Sequence, residues 1–189
     1  PTAGLHLTGR LLKEPISKGI VVRELTLHVG IGTFKPIRTE NVEEHSMDPE
    51  YFEIDKSLIS EIRKTKASGK KVISVGTTTT RAIEGLMSGR YREIGNGKVS
   101  HDSRFTTHDS RFLRGTTDIF IYPGYRFRVV DSLLTNFHLP GSTPLMLTSA
   151  LCGWEKLKKA YKQGSHCFSN TYCLVTQFPA RLSCGEKHD

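Results

Sequence analysis

The apolar positions of this chain change period several times, and each change marks an element. Ile20, Val21 and Val22, followed by Leu25, Leu27 and Val29, are β-rich and partly alternating. That pattern predicts an extended segment over residues 20–29 running into a glycine turn at Gly30 and Gly32. Residues 36–54 are polar, with short extended pieces. Asp55 or Ser57 can cap a helix through about Ala67, with Leu58, Ile59 and Ile62 as its apolar face and Gly69 as its end. Residues 71–75 read as a buried strand, Gly76 and the four threonines after it as a turn, and residues 81–87 as a second helix. Helix, strand, turn and helix in that order predict an α/β fold.

Residues 88–117 are rich in Gly, Ser, Arg and Thr and read as a loop. They carry a tandem copy, HDSRFTT at 101–107 followed by HDSRF at 108–112. Two copies are too few for a solenoid. The paired His-Asp dipeptides have no periodicity that would gather them around a metal. Residues 118–122 and 126–130 form two β-type runs about Pro123-Gly124, and the second alternates basic with apolar. This predicts a two-stranded ribbon with Arg126 and Arg128 on one face. Ser142 or Thr143 then caps a long helical stretch with Pro144 in its first turn, and from Gly164 onward the pattern dissolves.

Composition narrows the partners. The 189 residues hold 37% apolar and 24% charged side chains, which suits one ordinary domain and excludes disorder or collagen as overall readings. No apolar run approaches the roughly 18 residues of a membrane span. Lys and Arg total 27 against 19 acidic residues, a net charge of +8 that makes nucleic acid a reasonable partner. Cys152, Cys167, Cys173 and Cys184 show no C-x2-C spacing, so neither a zinc site nor any other metal is expected. With no signal-peptide pattern, free thiols and a cytoplasmic setting are expected.

Nucleotide motifs fail one by one. Gly69-Lys70 has Lys64 where a phosphate loop needs its first glycine and Lys71 where it needs a hydroxyl. Gly30-x-Gly32 reaches Lys35 instead of a third glycine, which removes the dinucleotide fingerprint. The turn at Gly76, Thr77 and Thr78 is a better candidate, because a helix N-terminus offers free N–H groups and a partial positive charge. Simple capping explains it equally well. His28 precedes a glycine turn and His138 precedes Pro140-Gly141, positions where strands end and sites gather.

Five segments in order carry a resemblance: PTAGLHLT at 1–8, LTLHVGIGTFKPI at 25–37, VGTTTTRAIE at 75–84, IFIYPGYRFRVVD at 119–131 and LLTNFHLPGSTPLMLTSA at 133–150. Together they resemble the S-adenosylmethionine:tRNA ribosyltransferase-isomerases of queuosine biosynthesis. The resemblance implies a mixed β-sheet or barrel-like core with flanking helices, truncated at the N-terminus. Residues 1–162 would be the C-terminal part of the enzyme domain, and residues 163–189 an atypical, poorly ordered tail without the family's closing aromatic stretch. Asp48 stands where the family has a histidine after Met47, and Leu7 and Gly85 also depart from its pattern.

The family reaction transfers and isomerises the ribosyl group of S-adenosylmethionine onto 7-aminomethyl-7-deazaguanine in tRNA, giving epoxyqueuosine. Its partners would be tRNA and S-adenosylmethionine, the latter a co-substrate, with no cofactor, no membrane and a monomeric protein. His6, His28 and His138 in the matching motifs would be the proton movers, with acid and base left unassigned among them. Gly30, Gly32, Thr33, Thr77, Thr78 and Arg81 would hold the co-substrate or a phosphate, Asp131 and Asn136 would orient ribose hydroxyls, and Arg126 and Arg128 would meet the RNA backbone. An inactive truncated remnant, or a basic RNA-binding module, is the alternative. A methyltransferase is a weaker third reading, because the glycine-rich first loop of the usual fold is absent.

Overall fold

The computed structural model describes residues 2–30, 36–94, 110–164, 172–176 and 183–184. Two four-stranded sheets organise them. The first contains β1 (Thr26–His28), β2 (Glu50–Asp55), β4 (Arg92–Glu93) and β5 (Phe112–Thr117), all antiparallel in the order β1-β2-β5-β4. The second contains β3 (Ile73–Val75), β6 (Ser132–Asn136), β7 (Tyr172–Thr176) and β8 (Ser183–Cys184) in the order β3-β6-β7-β8. Its β3–β6 pair is parallel and its other pairs are antiparallel. The mixed α/β architecture is as expected. A barrel is not, since neither sheet closes on itself among the described residues.

Local chemistry explains where elements begin and end. The Asp55 carboxylate accepts from Ser57 N at 2.7 Å and starts α2 (Lys56–Ala67), which Gly69 ends at φ 69°. Leu58 and Ile62 of α2 pack with Phe52 and Ile54 of β2 in one core cluster. β2 buries Glu50, Phe52 and Ile54 and half-exposes Tyr51, Glu53 and Asp55. That is a period-2 strand whose inward glutamate disguises it in sequence. β5 is likewise hidden in the region read as a loop. Its Gly115 is required, because a Cβ there would stand 2.9 Å from both the Phe52 ring and the Arg92 carbonyl. The HDSRF duplication falls largely in residues 95–109, outside the described residues.

Four expected elements are redrawn. The extended segment over residues 20–29 contracts to β1, with Ile20 and Val21 exposed and unpaired in any strand. The helix expected from Arg81 begins four residues earlier, as α3 (Thr77–Met87), because Gly76 adopts φ 91° and its carbonyl accepts from Thr80 N. Thr80 also satisfies its hydroxyl inside, against Ser74 Oγ at 3.0 Å and the Gly76 carbonyl at 3.1 Å.

The ribbon over residues 118–130 does not form. The backbone N–H groups of Arg128, Val129 and Val130 donate to the fully buried Glu84 carboxylate at 2.8–2.9 Å, and Tyr125 Oη donates to it at 3.0 Å. A side chain on α3 thus replaces the missing strand partner. Burial and the Glu84 carboxylate together push the Tyr125 phenol well above its usual range.

The long helical stretch is two helices, α4 (Thr143–Cys152) and α5 (Trp154–Gly164), separated by Gly153 at φ 87°. α4 is buried nearly all round, and with Leu157 of α5 it forms the second core cluster under β6. In the tail, β7 pairs with all five residues of β6, a strand that the dissolved pattern did not announce. A short 3-10 helix (Thr2–His6) packs against β6, and α1 (Gly9–Ser17), capped by Thr8, buries none of its residues.

Candidate functional site

The parallel pair determines where a site can be. β3 and β6 run in register from Ile73↔Ser132 to Val75↔Leu134, so both carboxyl ends reach the same edge. β3 feeds Gly76 and the N-terminus of α3. β6 feeds residues 137–141 and then the N-terminus of α4. In open α/β sheets such an edge is where ligands bind, because backbone N–H groups of two helices converge there. Gly76 N donates to the Leu134 carbonyl at 2.8 Å and locks the two turns together.

Other motifs arrive at the same edge. Pro36 bridges Ser142, and Ile37 N donates to the Gly141 carbonyl at 2.9 Å. The chain leaving the Gly30 turn is therefore tied to the loop that carries His138. The 3-10 helix that carries His6 packs against β6. Gly32 and Thr33 lie outside the described residues, as does the His6 side chain.

His138 is held from three directions. Its Nε2 lies 3.0 Å from Thr135 Oγ1, its backbone N–H donates to Tyr161 Oη at 2.6 Å, and that hydroxyl donates to the His138 carbonyl at 2.9 Å. Tyr161 belongs to α5 and stacks edge-on with Phe137, ring centroids 4.9 Å apart. Burial lowers the imidazole from its usual range to about 4, so it is neutral at neutral pH. A fixed, neutral imidazole can accept a proton or offer an N–H, but it carries no standing positive charge.

The α3 N-terminus is drier than an exposed anion site. Thr77 and Thr78 are both buried, and Thr78 Oγ1 has no hydrogen-bond partner among the described residues. Arg81, one turn on, turns inward. Its Nη1 pairs with Glu50 Oε2 at 2.6 Å, and its Nε donates to the Ile119 carbonyl at 2.9 Å. Desolvation lowers its affinity for a proton, while Glu50 and Asp118 pull the other way. The same burial raises Glu50 against the pull of Arg81. Glu50 Oε1 and Arg81 Nη2 also lack hydrogen-bond partners among the described residues. In this arrangement the Arg81 guanidinium ties α3 to β2 and to residue 119 instead of facing an open anion.

The remaining candidates separate. Asn136 sits half-buried at the carboxyl end of β6. Asp131 lies beyond the opposite end, roughly 16 Å away at strand rise. There its carboxylate accepts from Val72 N at 2.8 Å and Lys66 Nζ at 2.7 Å. The structure does not bring the two together over one ribose. His28 ends β1 in the other sheet, exposed, its ring edge-on to that of Tyr51 with centroids 5.0 Å apart, and Gly30 follows it at the surface. Arg126 and Arg128 are exposed on the segment fastened by Glu84, while Tyr125 and Phe127, which alternate with them, pack against the core.

Glu50, Glu84, Thr135 and Tyr161 went unread in the sequence. One of them left a signal: Glu84 stands at i+3 from Arg81 on a helix where Ala82 and Ile83 between them are apolar, which points to the two charges facing inward together. Among the described residues no group of three His, Cys, Asp or Glu side chains could hold a metal ion, and no helix is long and apolar enough to cross a membrane.

Comparison with known proteins agrees with the five ordered motifs. A family described as queuosine biosynthesis protein matches residues 1–171. The S-adenosylmethionine:tRNA ribosyltransferase-isomerase of Thermodesulfovibrio yellowstonii is 55% identical over 163 residues, 86% of this chain and 44% of that protein. The protein of the same name from Halothermothrix orenii is 51% identical over 86% of this chain and 42% of its own length. The crystal structure of an S-adenosylmethionine tRNA ribosyltransferase from Thermotoga maritima superposes with a TM-score of 0.61 at 31% identity, covering 87% of this chain and 46% of that one. The chain therefore spans less than half the length of the relatives it matches.

Proposed function

The chain belongs to the queuosine biosynthesis protein family, and from that premise we propose that it takes part in ribosyl transfer from S-adenosylmethionine to tRNA. The acceptor is the aminomethyl group of 7-aminomethyl-7-deazaguanine, the product epoxyqueuosine, and adenine and methionine leave. The sulfonium acidifies the neighbouring ribose carbon, so a base that removes that proton and a donor that assists adenine are what a protein must supply. The reading places the chain in the cytoplasm as a monomer, with tRNA and S-adenosylmethionine as partners and no resident cofactor.

One observation carries this reading: His138, neutral and clamped by Thr135 and Tyr161, stands in the loop that follows the parallel pair, where the α3 N-terminus also opens. A neutral imidazole in a dry setting suits proton exchange with a carbon or nitrogen centre. Thr77, Thr78 and Asn136 at the same edge are placed to hold polar parts of the co-substrate. His6 and His28 remain candidates for the second proton movement.

Calorimetric titration with S-adenosylmethionine tests the reading first. Binding is expected, and His138→Ala should then lower single-turnover transfer by about 100-fold or more. An unchanged rate removes His138 from the chemistry. RNA binding without S-adenosylmethionine binding would instead identify an inactive RNA-binding remnant.

A further inference from the structure

Cross-strand register aligns a row of residues across the first sheet. His28 of β1 stands opposite Tyr51 of β2, Tyr51 opposite Thr116 of β5, and Thr116 opposite Arg92 of β4. Residues directly opposite one another project from the same face. The adjacent row of Leu27, Phe52 and Gly115 is the one turned to the core, with Phe52 fully buried. The His28 row therefore lies on the outer face and crosses three strand spacings, about 14 Å.

At its β4 end the row opens into a cleft of about 250 Å³, lined among others by Arg90, Tyr91, Arg92, Thr116 and Asp118. Arg90 and Arg92 are exposed, and neither forms an ion pair among the described residues. Their backbones are rigid. Arg90 N donates to the Gly85 carbonyl at 2.8 Å, the Arg90 carbonyl accepts from Thr117 Oγ1 at 2.7 Å, and Arg92 is held by β5. Asp118 is the acidic member of the lining, and its charge also acts on buried Arg81.

We propose that this row and cleft form the track of one RNA strand, with phosphates at Arg90 and Arg92 and unpaired bases against the His28 and Tyr51 rings. Rings and guanidiniums set along one sheet face suit single-stranded RNA, whose bases can leave the stack. The track leads from the cations at the sheet edge to His28, one of the three proton-mover candidates. It rests on the ribosyl-transfer reading and gives the RNA a different address from Arg126 and Arg128.

The test is fluorescence anisotropy of an anticodon stem-loop RNA with this chain over a series of salt concentrations. Arg90→Ala/Arg92→Ala should weaken binding tenfold or more and reduce the salt slope by about 1.4, the loss of two single-strand phosphate contacts. Arg90→Lys/Arg92→Lys should keep the slope, and Arg126→Ala/Arg128→Ala should change it less than the first pair. An unaltered slope in the Arg90/Arg92 alanine variant, or an equal loss in the lysine variant, overturns the proposal. Titration of the same unaltered chain with S-adenosylmethionine separates the two readings. If it binds S-adenosylmethionine but no RNA, this inference alone falls; if it binds neither, the ribosyl-transfer reading falls with it.

Discussion

His138 and His28 belong to matching motifs of the same chain, yet they end in opposite surroundings. His138 follows a parallel strand pair, is half-buried, and is clamped through both backbone and ring by Thr135 and Tyr161. His28 ends the edge strand of an antiparallel sheet, exposed, with one aromatic neighbour named at its ring. The difference follows from sheet type. Parallel strands need crossover connections that cover them, whereas an antiparallel sheet can leave one face to solvent. A half-buried, fixed imidazole suits small-molecule chemistry, and an exposed one suits a polymer that must arrive and leave.

The comparison can be broken most forcefully at Glu84, which organises the buried side. Glu84→Leu would strand three backbone N–H groups and the Tyr125 hydroxyl, each costing about 1–3 kcal/mol when buried without a partner. The sum approaches the whole stability of a domain. Loss of the cooperative unfolding transition is the expected result, and a variant that unfolds in urea like the parent would deny Glu84 its role.

A second test uses pH. Burial lowers His138 below its unfolded value, so between about pH 6.5 and pH 4 the unfolded chain binds the additional proton. Its contribution to stability is complete above about 6.5, is lost as pH falls through that window, and amounts to about 3 kcal/mol at most. His138→Asn should flatten the stability profile across the window, read by urea midpoints at several pH values. An identical profile would mean that His138 is as solvated as His28.

The smallest effect is expected at Tyr161. Tyr161→Phe removes one acceptor and one donor from the His138 backbone, at a cost of about 1–2 kcal/mol in thermal or urea unfolding. A change within 0.5 kcal/mol would show that the clamp tightens the loop without stabilising the fold.

Much of this fold is legible in sequence where a local rule operates alone. Asp55 ahead of Leu58 and Ile62, with Gly69 behind, defines α2 by capping, periodicity and termination. Elements whose identity depends on a distant partner are not legible. Glu50 inside β2 reads as a solvated charge until Arg81, 31 residues on, is seen to meet it. Residues 126–130 alternate like a strand, but their N–H groups find a carboxylate and not another strand. The site divides in the same way. His138 and the α3 threonines were marked by their turns, while Tyr161 was one polar residue among several on α5.

The sequence by itself determined the α/β class, the family carried by five ordered motifs, and the boundaries of α2 made by its cap and Gly69, because those depend on neighbours within a few residues. Tertiary structure alone decided that Arg81 faces Glu50, that Asp131 and Asn136 lie at opposite ends of β6, and that one histidine is half-buried and clamped while another is exposed. Burial and ion pairing arise from contacts between residues tens of positions apart, and no local pattern encodes the dielectric in which a side chain will stand.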